Sequence, residues 1–227
     1  MILGLDRHPQ AACFVEIDEA VAAMTDRVVC FNAHAFDAPE GAIIYQTENI
    51  PQQTQAERYA GREVWDLDLQ NCEQYDARYV PIGYHPSFER FLPAAELDID
   101  IVFSGCISKR RAAVLQALAD RDLVVKVIPP GIYGAERDAV LARSKLALNM
   151  LYEPGRIFPA LRVAHLVANH VPVLSERCRD GWGFSPTCGY EDLVDVAERI
   201  VRNRIAAEDN AAFSYERFRA MPMVLPC

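Results

Sequence analysis

Glu153, Arg156, Arg162 and His165 stand close together where an apolar run passes through a short loop into a helical pattern. The stretch is Lys145 to Glu176, KLALNMLYEPGRIFPALRVAHLVANHVPVLSE. A strand that delivers the chain to a helix N-terminus makes a place for phosphate, because unpaired N–H groups and the helix dipole both favour an anion. Charged side chains are costly at such a junction unless something charged binds there. Arg162 and His165 are three residues apart and share a helix face. Arg162 falls in the first turn, aimed at the strand-end crevice. Tyr152 and Glu153, at the end of the preceding strand, are placed to hold sugar or ribose hydroxyls, since a carboxylate accepts two such bonds. The same Glu153, Arg156 and Arg162 also read as a structural ion-pair cluster.

Four further segments carry polar groups at strand ends. IVFSGCISKRR, Ile101 to Arg111, ends a buried strand at Ser104-Gly105 and opens a helix near Ser108. Glycine there lets a ligand approach the backbone, and Lys109 or Arg110 can neutralise phosphate. Without a ligand it is a tight turn followed by solvated charges. PPGIYGAERD, Pro129 to Asp138, bends at Gly131 and Gly134 and offers Tyr133 as a stacking face for a base. It reads equally as a rigid turn and helix start. FNAHAFD and YQTENIPQ bring His34 and Glu48 as candidate general bases, or else as parts of a helix cap and surface loop. No G-x-S-x-G, Walker loop, H-E-x-x-H or G-x-G-x-x-G occurs, which disfavours hydrolase, NTPase and dinucleotide readings.

These segments need elements to hold them. Strand-forming composition recurs at Arg27–Asn32, Ala42–Thr47, Val64–Asp66, Arg78–Pro81, Ile99–Ser104, Leu123–Ile128, Leu146–Leu151 and Val171–Leu174. Several runs are apolar on both faces, as buried parallel strands are. Helical patterns fall at Ser108–Arg121, Gly134–Ser144, Phe158–Asn169 and Tyr190–Arg202, with Ser108 as a cap and Pro159 just inside a first turn. The alternation predicts an α/β fold with right-handed, doubly wound sheets. A proline-bearing stretch ending in ELDID suggests a boundary near Phe91–Asp98. The expected domains are 1–95 and 96–227, the second closing with a helix and an extended tail.

Composition limits the partners. The chain has 227 residues, is 51% hydrophobic and carries a formal net charge of -9. It is long enough for a real core, and its acidity disfavours general binding to nucleic acid or anionic membranes. No window approaches the roughly 20 apolar residues of a transmembrane helix, and no signal-peptide pattern opens the chain. Seven scattered cysteines without a C-x-x-C pair suggest neither a zinc site nor a disulfide framework. A cytoplasmic protein with reduced thiols is the expectation.

The string DIDIVFSGCISKRRAAVLQAL, VIPPGIYGAERDAVLARSKLALNMLYEPGRIF and LRVAHLVANHVPVLSE resembles the C-terminal half of GT-B glycosyltransferases. The likeness is to bacterial group 1 and spore-maturation-like (CgeB-type) members. GAIIYQTENI and VWDLDLQNCEQYDARYVPIGYHP are similar to the N-terminal half of the same group. This resemblance implies two Rossmann-like halves facing a cleft, with the N-terminal half reduced. It implies a nucleotide-diphosphate sugar donor, an acceptor that is a sugar, polysaccharide or protein, and no metal or other cofactor. By position, Ser104, Gly105, Lys109 and Arg110 would line the diphosphate. Tyr152, Glu153, Arg156 and Arg162 would line the donor pocket. Relatives often carry a glutamate on the helix that begins near Phe158, where this chain has Pro159 and His165. The alternative is a non-catalytic nucleotide-sugar-binding or scaffold protein on the same fold.

Overall fold

The structure is a computed structural model that describes residues 2–3, 29–31, 38, 40–47, 59–154, 157–178 and 185–224. Its contacts form two units, Met1–Pro81 with Val224–Cys227, and Ile82–Met223.

The first unit holds β1 (Ile2–Leu3), β2 (Val29–Phe31), β3 (Ile43–Gln46), β4 (Val64–Asp66) and β5 (Arg78–Tyr79). They lie side by side in chain order, each pair parallel. Every residue of β3 and β4 is buried, including the polar Gln46 and Asp66 that end them. Cys30, Ala42, Ile44, Tyr59 and Val64 form the core cluster. Helix α1 (Leu69–Tyr75) starts because the Asp68 carboxylate accepts the Asn71 N–H at 3.0 Å. It stops at Asp76, whose left-handed φ of 54° breaks the helical path.

The second unit alternates strictly at first: β6 (Ile99–Ser104), α2 (Lys109–Ala119), β7 (Val125–Ile128), α3 (Gly134–Leu141), β8 (Ser144–Asn149), α4 (Ala160–Ala168) and β9 (Val173–Glu176). Then come β10 (Thr187–Cys188), α5 (Leu193–Arg202) and α6 (Arg204–Arg219). The sheet order is β10-β9-β8-β6-β7, all parallel. Ile101, Phe103, Leu146, Leu148 and Leu174 share one apolar cluster with Leu118 of α2 and Leu193 and Ala197 of α5. Val102, Ala147 and Val173 alternate with them and are buried from the opposite face. Both faces are therefore covered. Residues 82–95 belong to this unit. The Asn169 side-chain carbonyl accepts the Arg90 and Phe91 N–H groups at 2.6 and 2.9 Å, and its amide donates to the Phe88 carbonyl at 2.8 Å.

Several boundaries move from those expected. Strand β9 begins two residues late, after His170 turns the chain at φ 57° and Pro172, which has no N–H, lends only its carbonyl to Ala147. Pro159 is the cap of α4 and not a residue of its first turn. Tyr190–Asp192 is a separate 3-10 turn before α5. The sequence reading did not foresee β1, α1 or β10, all of them short.

Candidate functional site

The strand order locates the site. From β6 the chain moves outward to β7, then returns past β6 to β8 and continues away on that side. The loops leaving β6 and β8 therefore part from one another, and the gap beyond their carboxyl ends is where open α/β sheets take ligands.

On one lip, Ser104 ends β6 half-buried, and Gly105 follows with φ 141°. The Gly105 N–H donates to the Ile128 carbonyl at 3.1 Å, extending the ladder with β7. A Cβ on Gly105 would stand 3.3 Å from Nη2 of Arg162. The guanidinium of Arg162 thus lies against the backbone at the end of β6, although the two residues are far apart in sequence. Its Nη1 donates to Oδ1 of Asn149 at 3.4 Å. Asn149 is fully buried at the end of β8, and its amide donates to Ser175 Oγ at 2.8 Å. Ser175 in turn donates to the Glu176 carbonyl at 3.1 Å. This row of buried polar groups runs across three strand ends and is satisfied along its length, as burial requires.

At the start of α2 the three consecutive cations part company. Lys109 is exposed, and among the described residues no acidic group pairs with it. Arg110 grips Glu176 with two bonds, of 2.8 and 2.6 Å, and donates a third to the Leu151 carbonyl at 2.8 Å. Its guanidinium lies 4.0 Å from the centre of the Tyr190 ring. Hydrogen bonding to Glu176 holds the Arg110 pKa above its ordinary value. Arg111 is buried and donates to the carbonyls of Cys106 at 2.8 Å, Leu151 at 3.2 Å and Met150. Burial lowers its pKa. Ser108 caps the helix by accepting the Arg111 N–H at 3.5 Å and reaches the Tyr152 carbonyl at 3.4 Å.

The other residues singled out from sequence fall in different surroundings. Tyr152 and Glu153 are exposed just past β8, and the Tyr152 ring lies 5.3 Å from the Arg111 guanidinium. Tyr133 is exposed at the N-cap of α3. His165 turns to α3, where its Nε2 lies 2.8 Å from Oδ1 of buried Asp138 and 3.1 Å from Arg137. Burial and the Arg137 charge lower its pKa. His34, Glu48 and Arg156 lie outside the described residues. Sequence reading passed over Asn149, Ser175, Glu176 and the special place of Arg111. An asparagine inside the apolar run KLALNML, and a serine and glutamate ending VPVLSE, were the available signals. Among the described residues no three His, Cys, Asp or Glu side chains gather as a metal site would need.

No family model matches the chain. The fold is similar to that of TarM, a GT-B glycosyltransferase, with a TM-score of 0.53 and 14% identity, over 85% of this chain and 51% of that one. Together with the two parallel sheets, this shows an α/β fold like that of TarM. The uncharacterized protein L137 of Acanthamoeba polyphaga mimivirus is 26% identical over 124 residues, 51% of this chain and 17% of the viral protein. The chain spans about half of TarM and a sixth of L137. No described helix is long and apolar enough to cross a membrane.

Proposed function

We propose that this protein is a glycosyltransferase that moves a sugar from a nucleotide-diphosphate donor to an acceptor hydroxyl, without a metal. The observation that carries this reading is the Arg162 guanidinium resting against Gly105 at the point where the strand order reverses. A diphosphate there would meet the Arg162 cation, a backbone turn without a side chain at Gly105 and the N-terminus of α4 together. In the transfer, the acceptor oxygen bonds to the anomeric carbon as the bond from that carbon to the diphosphate oxygen breaks. The negative charge that grows on the leaving diphosphate is countered by Arg162 and Lys109 and by the α4 dipole. Tyr152 and Glu153 are assigned to donor hydroxyls, and Tyr133 to the base. Arg110 is assigned a supporting role, since Glu176 already holds its guanidinium. The proton of the acceptor is assigned to Glu48 or His34.

The test is thermal shift with UDP, GDP, ADP and their sugars, followed by assay of donor hydrolysis and transfer. A sugar donor should raise Tm. Arg162→Ala should weaken that ligand by about tenfold or more, as loss of a charge-assisted contact does. Gly105→Ala should do likewise by pushing the guanidinium aside. A chain indifferent to every nucleotide refutes the reading. A second reading, a nucleotide-sugar-binding protein without turnover, is favoured by one observation. His165 stands where the resembled group often carries a glutamate, and it is engaged with Asp138. Donor binding with neither hydrolysis nor transfer would select it.

A further inference from the structure

The run Lys109-Arg110-Arg111 reads as three solvated charges, yet Arg111 is 5% exposed. Among the described residues no carboxylate forms an ion pair with it; three backbone carbonyls surround it instead. Cys106 lies on the loop leaving β6, and Met150 and Leu151 lie on the segment leaving β8. Those strands are neighbours, and these segments are the two lips of the gap described above. One planar guanidinium therefore spans the gap at its base. The Phe103 and Tyr152 rings lie 5.1 and 5.3 Å from it, so its position is fixed by packing as well as by hydrogen bonds.

We infer that Arg111 is a positioning residue that sets the spacing of the two lips and so determines how tightly the gap holds a diphosphate. It touches no ligand in this scheme. The ligand half of the inference rests on the proposed function; the bridge itself does not. A guanidinium has five donors in a rigid fork, whereas a lysine ammonium is a point donor that cannot serve three separated carbonyls in the same plane. Arg111→Lys therefore keeps the charge and loses the geometry. The Arg110 clamp on Leu151 stays in place, so the lips are loosened and not released.

The experiment compares amide hydrogen exchange in the wild-type chain, Arg111→Lys and Arg121→Ala. Arg121 lies just beyond the far end of α2 and pairs with Asp195 and Glu198 of α5, so its loss tests whether loosening that end of the helix is enough to change exchange at the lips. Arg111→Lys should speed exchange roughly tenfold in 104–107 and 150–153 together, while 100–103 stay protected. Arg121→Ala should do neither. In parallel, the nucleotide diphosphate that most stabilises the wild type should bind Arg111→Lys about tenfold more weakly at a temperature where both are folded. A merely structural arginine would lower Tm and leave that affinity within twofold. Faster exchange on one lip only, on neither, or equally after Arg121→Ala overturns the bridge. An unchanged affinity overturns its consequence. If the wild type binds no nucleotide, the proposed function fails and the ligand half with it, while exchange still decides the bridge. Should the lysine variant not fold, Arg111→Gln, which retains two donors, is read in the same way.

Discussion

Glu176 and Arg110 offer the sharpest stability test. Their side chains are 6% and 19% exposed and are joined at 2.6 Å. Glu176 Oε2 also accepts the Leu151 N–H at 2.9 Å, so the carboxylate fastens β9 to the end of β8 as well as to α2. Replacing Glu176 by leucine leaves Arg110 half-buried without its counter-charge and leaves the Leu151 amide without its acceptor. Removing one partner of a buried pair costs about 3–5 kcal/mol. The partial exposure of Arg110, together with its contacts to Tyr190 and the Leu151 carbonyl, moves the expectation down to roughly 2–3 kcal/mol. For a chain of this size that is a fall in Tm of about 5–10 °C. Arg110→Met should cost a similar amount, because it strands a buried carboxylate. The double variant Arg110→Met/Glu176→Leu should be milder than the sum, with a coupling of about 1.5 kcal/mol or more. Urea denaturation of the four proteins measures the cycle. Single effects under about 1 kcal/mol that simply add would refute the reasoning, because the contact would then behave as a screened surface pair.

Other perturbations are equally definite. Burial pushes the Asp66 carboxyl up from 3.8 to about 6, against its bonds from the Asp68 N–H and the Asn71 amide. The folded chain thus holds this proton more tightly than the unfolded one. Its contribution is present below about pH 4 and lost as pH rises through 6, on the order of 3 kcal/mol. Asp66→Asn should flatten that part of the profile of unfolding free energy against pH; an unchanged slope would count against the assignment. His165 has the opposite sign. Its folded pKa is lowered by burial and Arg137, with Asp138 opposing and Arg90 adding to the effect. Its contribution is full above about pH 6.5 and fades as pH falls below that value, and His165→Gln should abolish this acid-side loss in the same measurement. Gly83→Ala would place a Cβ 2.5 Å from the Pro222 carbonyl oxygen and 2.6 Å from the Met223 backbone. It should disturb the bonds from the Tyr84 N–H to Met221 and from the Met223 N–H to Tyr84, at about 1–3 kcal/mol in urea. A neutral Gly83→Ala would mean that the two segments part easily.

The alternation of strands and helices was legible because it is a local property. Ile101 to Phe103 and Leu146 to Leu148 are buried from both faces, and such strands must be short unbroken apolar runs. Ser108 announced α2 for an equally local reason, since a cap acts on the amides that directly follow it. From these runs the sequence determined an α/β chain with polar loops at strand ends. What it left open was the partner of each charge. Lys109, Arg110 and Arg111 are consecutive, and each helical step rotates the side chain by about 100°. One cation therefore faces water, one meets Glu176 and one meets the carbonyls at the end of β8. His165 shares a face with Arg162 only approximately, and the remaining rotation carries it to Asp138 on α3 while Arg162 reaches Gly105. Those partners are brought near by the strand order, which no local spacing encodes, and so only the tertiary structure separated the cation facing the gap from those that hold the gap in shape.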